Sequence, residues 1–260
     1  MYFDSHAHLD DAHFDGDRAA ILDDLKNHGV TMVMNVGCDL PSSERSVRLA
    51  EQYPFLYAAV GSHPDDADHV DGALLARYRA LCASPRVRAI GEIGLDYYWS
   101  GEFVAEQVEA FVSQCRLAAR LGLPVAIHTR AAWDDMCRII GEEATAAAEA
   151  GRRLRGVFHA FSEDAVTYRK LKACGDFAFG IGGVVTFRKS KLADTVREME
   201  LDDIVLETDC PYLTPAPHRG ERNESAYVRF VCEKVAELKG LPPGEVAAAT
   251  TANAKRIFGI

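Results

Sequence analysis

The chain has 260 residues, 48% hydrophobic and 26% charged, the make-up of a soluble globular protein. Its formal net charge of −10 argues against a module that holds nucleic acid by basic surface alone, but not against an enzyme that offsets substrate phosphates with metal ions. No apolar run approaches the roughly 18 residues of a membrane span, and seven dispersed cysteines without a C-x-x-C pair point to reduced thiols rather than disulfides or a thiolate zinc site.

The N-terminus, MYFDSHAHLD, does not read as a secretory signal, so a cytoplasmic protein is expected. Its apolar start, YFDSH (2–6), is the first strand candidate. Residues 17–28 follow as a helix, with Ile21, Leu22 and Leu25 on one face and Gly29 at its end. Further short apolar runs lie at 30–37, 55–61, 87–94, 124–128, 156–161, 176–182 and 202–209. Between the fourth and fifth, Val104, Val108, Phe111, Val112 and Cys115 keep a helical period until Gly122. After the eighth, Val228, Val231, Cys232, Val235 and Leu238 form another stripe, ended by Gly240. Continuous apolar runs alternating with helices imply a parallel sheet covered on both faces. Eight such units predict an α/β fold, a (β/α)8 TIM barrel forming a single domain over 1–260. An open doubly wound sheet is the alternative, with no G-x-G-x-x-G after the first strand to support it.

Polar residues fall where those strands end. His6 and His8 lie on the first, His63 on the third, Glu92 in the fourth, His128 on the fifth, His159 on the sixth, and Asp209 closes the eighth. In a barrel the C-terminal strand ends converge on one mouth. Any one of these histidines is ordinarily a hydrogen-bonded structural residue, and either acid alone a cap or an ion-pair partner. So many potential ligands gathered at one mouth are costly unless something neutralises them, and a metal centre does so. Residues i and i+2 of a strand face the same way, so His6 and His8 can share one ion. Imidazoles with carboxylates suit zinc, manganese, cobalt or iron better than calcium, and magnesium is less expected from such ligands.

Two divalent ions are expected. Glu92 bridges them with its two oxygens, His6, His8 and Asp209 stand on one side, and His128 and His159 on the other. Two ions roughly 3.5–4 Å apart activate water and stabilise the entering and leaving oxygens. Asp209 is the candidate base for that water. Asp4, two residues before His6, is placed to orient a ligand imidazole, and Asp10 is read as a supporting residue.

The ordered motifs FDSHAHLD (3–10), VGSHP (60–64), GEIGLDYYW (91–99), PVAIHTR (124–130), HAFS (159–162), VLETDCPYLTP (205–215) and RGERNE (219–224) resemble those of the TatD family of metal-dependent deoxyribonucleases, within the amidohydrolase superfamily, across nearly the whole chain. That resemblance implies metal ligands at His6, His8, Glu92, His128, His159 and Asp209. It also implies His63 near the scissile phosphate, a DNA substrate taken as single strands or at 3′ ends, and 3′-to-5′ exonuclease action commonly supported by magnesium. Departures from the family pattern are Asp65 where a second histidine is common, HAFSE for HCFSG, and Ser225 for a proline.

For the substrate, Arg130 follows the fifth strand, and TFRKSK (186–191) and PHRGER (217–222) bring Arg188, Lys189, Lys191, His218, Arg219 and Arg222. Arg pairs well with phosphate oxygens, and Arg130 and Arg219 are the substrate-binding candidates; a solvated surface is the plain alternative for the rest. Tyr97, Tyr98 and Trp99 can stack on an unpaired base or pack on the rim. GIGG (180–183) lacks the Lys-Ser/Thr of a phosphate loop and is given no catalytic role. Catalytic roles are thus expected of Asp209, Glu92 and His63, with no membrane and no obligate protein partner. The rival enzyme is an amidohydrolase-type hydrolase of a small amide, lactone or phosphoester; a non-catalytic barrel would have lost ligands, and none is lost.

Overall fold

The computed structural model describes residues 1–99 and 101–260. All eight expected strands are present and parallel, in the order β1 (Tyr2–Ala7), β2 (Val30–Val36), β3 (Leu56–Val60), β4 (Val87–Asp96), β5 (Val125–Arg130), β6 (Arg155–Phe158), β7 (Asp176–Ile181) and β8 (Ile204–Leu206). The ring closes just beyond β8, where Ala7 bridges to Cys210. There the Asp209 amide donates to the His6 carbonyl (2.9 Å) and the His8 amide to the Cys210 carbonyl (2.8 Å). This closure establishes the barrel and rules out the open sheet.

Helices α1 (Arg18–Asp24), α2 (Leu40–Gln52), α3 (Gly72–Leu81), α4 (Val104–Leu121), α5 (Trp133–Glu149), α6 (Ala165–Ala173), α7 (Leu192–Glu198), α8 (Val228–Lys239) and α9 (Pro243–Phe258) surround the strands. Gly29, Gly122 and Gly240 stop their helices at φ of 77°, 68° and 67°, the left-handed conformation that glycine adopts without steric cost. The first helix is shorter than its hydrophobic pattern: α1 ends at Asp24, and Leu25–His28 tighten into a 3-10 turn. None among the described residues is long and apolar enough to cross a membrane.

The barrel interior is apolar at one end and polar at the other. Phe3, Met34, Ala59, Ala89, Val157, Ala178 and Val205 fill its lower layers, and Ile257 and Phe258 of α9 close the bottom. The Phe3 and Phe258 rings lie 5.9 Å apart. A plugged N-terminal end leaves the C-terminal mouth as the open one.

Several boundaries differ from the sequence reading, and three of the differences set where candidate site residues stand at that mouth. β5 runs on through Arg130, which is therefore part of the strand. His159 stands one residue past β6. Residues 202–203 turn in a 3-10 helix, and β8 stops at Leu206, so Asp209 lies on the loop beyond it. Leaving the ladder is what lets Asp209 turn into the barrel.

Candidate metal centre

His6 on β1 and His8 one residue past its end project together, 1% and 8% exposed, and their Nε2 atoms lie 3.3 Å apart. Glu92 on β4 reaches the same point from across the barrel. Its Oε2 is 3.4 Å from His6 Nε2 and 3.6 Å from His8 Nε2. Asp209 Oδ1 completes this side at 3.3 Å from His8 Nε2 and 3.8 Å from His6 Nε2. The other Glu92 oxygen, Oε1, faces a different group: His159 Nε2 at 2.8 Å, His128 Nδ1 at 3.0 Å and His63 Nε2 at 3.8 Å. One carboxylate thus divides its oxygens between two sets of nitrogens.

The charges suit cations. Burial holds the His6 imidazole down to about 4, so its lone pair is free at neutral pH. Burial works against the Glu92 carboxylate, but His159, His128 and His6 outweigh it and keep the group well below the usual range. Asp209 is likewise held low, against its burial, by His8 and its neighbours. His8 Nδ1 is 2.9 Å from the Val36 carbonyl; a carbonyl only accepts, so Nδ1 carries a proton, which leaves Nε2 as the nitrogen aimed at the two carboxylates. Against its burial, Cys38, Asp209 and Glu92 raise this imidazole well above its usual value, and a cation between Nε2 and the carboxylates would take the place of that proton. Imidazole nitrogens and ionised carboxylate oxygens gathered in one buried cluster form a donor set that fits divalent metal ions.

Several supporting residues escaped the sequence reading. Asp96 Oδ2, at the end of β4, is 3.2 Å from His128 Nε2 and, with Glu92, raises that imidazole to about 9 against its burial. Glu207 sits behind His159, with Oε1 3.8 Å from Nδ1 and 2.5 Å from the Ala160 amide that donates to it; burial pushes its carboxyl well up. Cys38 Sγ, at the end of β2, lies 3.5 Å from Glu92 Oε2, its thiol pushed up to about 11 by burial. Asp96 and Glu207 were visible within GLDYYW and LETD; only spatial neighbours distinguish them from ordinary acids.

Glu207 and the Leu213 carbonyl account for two of the glycines of GIGG. A Cβ on Gly180 would stand 1.9 Å from Glu207 Oε2, and one on Gly183 would stand 2.0 Å from the Leu213 carbonyl. Close backbone approach, rather than phosphate binding, is their role. Gly180→Ala is expected to displace the Glu207 carboxylate and cost about 1–3 kcal/mol. In thermal unfolding this is a Tm lower by roughly 2–10 °C. An unchanged Tm would disprove the crowding.

Asp209 owes its position to the loop around it. It adopts φ 58°, a left-handed conformation that Asp tolerates better than most residues. Asn223, fully buried, donates through Nδ2 to the carbonyls of Thr208 (2.7 Å) and Tyr212 (2.5 Å), on both sides of Asp209. Asp4 accepts from the Thr208 amide (2.9 Å) and hydroxyl (2.7 Å). It therefore fastens the β8 loop to β1 and does not orient an imidazole as expected. Asp10 is supporting, as expected, and accepts from Asn35 Nδ2 (2.9 Å).

The cluster forms the floor of a cavity of about 570 Å³ whose walls include Cys38, His63, Asp65, Arg130 and Tyr212. Arg130 is the one arginine or lysine among its lining residues. Arg219 does not line it; its guanidinium lies 3.9 Å over the Phe187 ring and donates to the Thr214 carbonyl. Arg222 is held by Asp17 and Glu224, and His218 by Glu221. Tyr97 is turned away to Asp135. A larger cavity of about 650 Å³ opens outside the barrel between α1 and α2, but no histidine lines it.

Residues 3–259 match the family model described as TatD related DNase. The chain is 40% identical over 261 residues to the uncharacterized metal-dependent hydrolase YabD of Bacillus subtilis, covering 100% of both chains. It is 33% identical over 262 residues to the 3′-5′ ssDNA/RNA exonuclease TatD of Cronobacter sakazakii, covering 98% of this chain and 97% of that one. Among solved structures it superposes on YJJV, a TatD homologue from Escherichia coli, with a TM-score of 0.91 and 29% identity, over 100% of this chain and 98% of the other.

Proposed function

The chain belongs to the TatD related DNase family of metal-dependent hydrolases, and on that premise we propose that it hydrolyses phosphodiester bonds of DNA, single-stranded or at 3′ ends, from the 3′ end. The observation that carries this reading is the division of the Glu92 carboxylate between two sets of nitrogens. It supports two ions: one held by His6, His8 and Asp209, the other by His128 and His159, with Glu92 between them. Bound there, zinc, magnesium or manganese supplies a Lewis acid that polarises a phosphate oxygen and lowers the pKa of water.

The protein residues do the remaining work. Asp209, held ionised, accepts the proton of the attacking water. His63 stands at the cavity wall, 3.8 Å from Glu92 Oε1, within reach of the scissile phosphate. Arg130 donates to phosphate oxygens from the end of β5. Arg219, stacked on Phe187, orders the β8 loop and is withdrawn from the phosphate-binding set. The seven free thiols are consistent with a reducing, cytoplasmic setting, and no obligate protein partner is invoked.

The test is incubation with single-stranded DNA labelled at either end, with Mg²⁺, Mn²⁺ or Zn²⁺, beside a His128→Ala control. Mononucleotides released first from the 3′ end, by the wild type alone, are expected. No cleavage with any ion, or equal products from both proteins, overturns the nuclease reading. Elemental analysis of the untreated protein counts the ions.

A further inference from the structure

Seven large apolar side chains are exposed among the described residues, and they are not scattered. Tyr98, Trp99 and Phe103 follow β4, Tyr212 and Leu213 follow β8, and the other two are Met1 and Val166. In an eight-stranded ring β4 and β8 are four strands apart, so these two groups stand on opposite rims of one mouth. Solitary exposed apolar residues need no account, but clusters beside a cavity mark a binding surface.

Each rim is built to present a ring. After β8, Tyr212 is 49% exposed, with its hydroxyl donating to Asp11 Oδ2 (3.2 Å) and its ring edge-on to His8 at 6.3 Å. Tyr212 and Leu213 both line the metal cavity. Leu213 is held at φ 52° with its carbonyl packed close to Gly183, which keeps an apolar side chain in solvent. After β4, Trp99 is 72% exposed and edge-on to Tyr98 at 4.8 Å. The Arg130 guanidinium lies 3.7 Å over Tyr98 and 5.1 Å from Trp99, joining this rim to the cavity.

Beyond the proposed ions at the cavity floor the protein offers little charge to the rest of a strand, because Arg130 is the one arginine or lysine on the cavity wall and the chain carries −10. Affinity for a polyanion must come from contacts other than a basic track. Base–aromatic stacking supplies such contacts without sequence preference.

We infer that the mouth takes a single strand with the two bases flanking the reacting phosphate splayed apart, one on Tyr212 and Leu213, the other on Trp99 beside Arg130 and Tyr98. This rests on the phosphodiesterase reading above and adds the ligand class of the two rims: unpaired nucleobases. Paired bases remain stacked on their neighbours and cannot reach opposite rims, so the arrangement selects against duplex.

The experiment uses the Mn²⁺-loaded enzyme with bis(p-nitrophenyl) phosphate and with a short single-stranded oligonucleotide in which one abasic residue is walked through every position. For the wild type, kcat/KM falls roughly ten-fold when the abasic residue occupies either position beside the cleaved bond, and much less elsewhere. Tyr212→Ala removes the sensitivity on one side and Trp99→Ala on the other. Both variants lose more activity on the oligonucleotide than on the small diester. Quenching of 2-aminopurine at those two positions on binding gives a second readout, weakened by the same variants. An abasic walk without effect, or variants that lose both substrates equally, overturns the inference while hydrolysis of the small diester keeps the phosphodiesterase reading. Failure of the wild type on both substrates with every ion removes that reading, and the inference with it.

Discussion

Glu92→Gln is expected to lower kcat by on the order of 1,000-fold or more, while leaving the protein folded. Glutamine keeps the shape of the side chain but removes the negative charge, and its amide donates hydrogen where Oε1 and Oε2 now face imidazole nitrogens at 2.8–3.6 Å. Both proposed ions lose their shared ligand at once, so metal content and activity fall together. Stability moves the same way. The imidazoles of His159, His128 and His6 outweigh the cost of burying the Glu92 charge, so the neutral amide removes a net stabilising ion and leaves those imidazoles without their shared partner. In the absence of added metal the variant's Tm is therefore expected to lie below that of the wild type. A linked effect falls on His128, which Glu92 and Asp96 together hold at about 9; without Glu92 its pKa drops, visible by NMR titration. Metal analysis, kcat and Tm on one preparation decide the matter. A variant retaining more than a small fraction of wild-type turnover shows that Glu92 does not join the two sides.

The same carboxylate shows what the sequence could and could not reveal. Its neighbours His6, His8, His128, His159 and Asp209 were legible because a parallel barrel converts strand-end position into proximity, and strand ends can be read from apolar runs. His6 and His8 were legible as a pair through strand periodicity alone. Residues that act from behind the cluster were not. Asp96 is one acid among many until β4 is seen to run on through it to His128 Nε2, and Glu207 is defined by the space that Gly180 leaves. The basic loops misled for a related reason. Arg219 and Arg222 have the residue type of phosphate ligands, but Phe187, Asp17 and Glu224 engage them first. Composition cannot say which partner a guanidinium meets. Asp4 was placed correctly on the face of His6, yet the register of ring closure gave it Thr208 instead of an imidazole.

Asn223→Asp should inactivate the enzyme through Asp209, a residue its side chain does not touch. Both hydrogens of Nδ2 are used, one on the Thr208 carbonyl and one on the Tyr212 carbonyl, and together they hold the loop in which Asp209 turns to φ 58°. Aspartate is the same size but offers two acceptors to two carbonyl oxygens. The carbonyls are left unpaired, at about 1–3 kcal/mol each, and an ionised carboxylate in this fully buried position is penalised further. Relaxation of the loop moves Asp209 away from His6 and His8, and turnover is expected to fall roughly 10- to 100-fold, as it does when groups that orient metal ligands are removed. The pH dependence separates this account from a simple packing defect. Burial raises the new carboxyl's folded pKa above its unfolded value of about 3.9, so the folded state favours the protonated form. The protonated acid can still donate one hydrogen bond. The destabilisation is therefore smallest near pH 4 and grows as pH rises through the folded pKa. Thermal unfolding from pH 4 to 8 should show the gap in Tm between wild type and variant widening with pH, alongside reduced metal content at neutral pH. A gap independent of pH, or full metal content with full turnover, would show that Asn223 packs the loop without setting the position of Asp209.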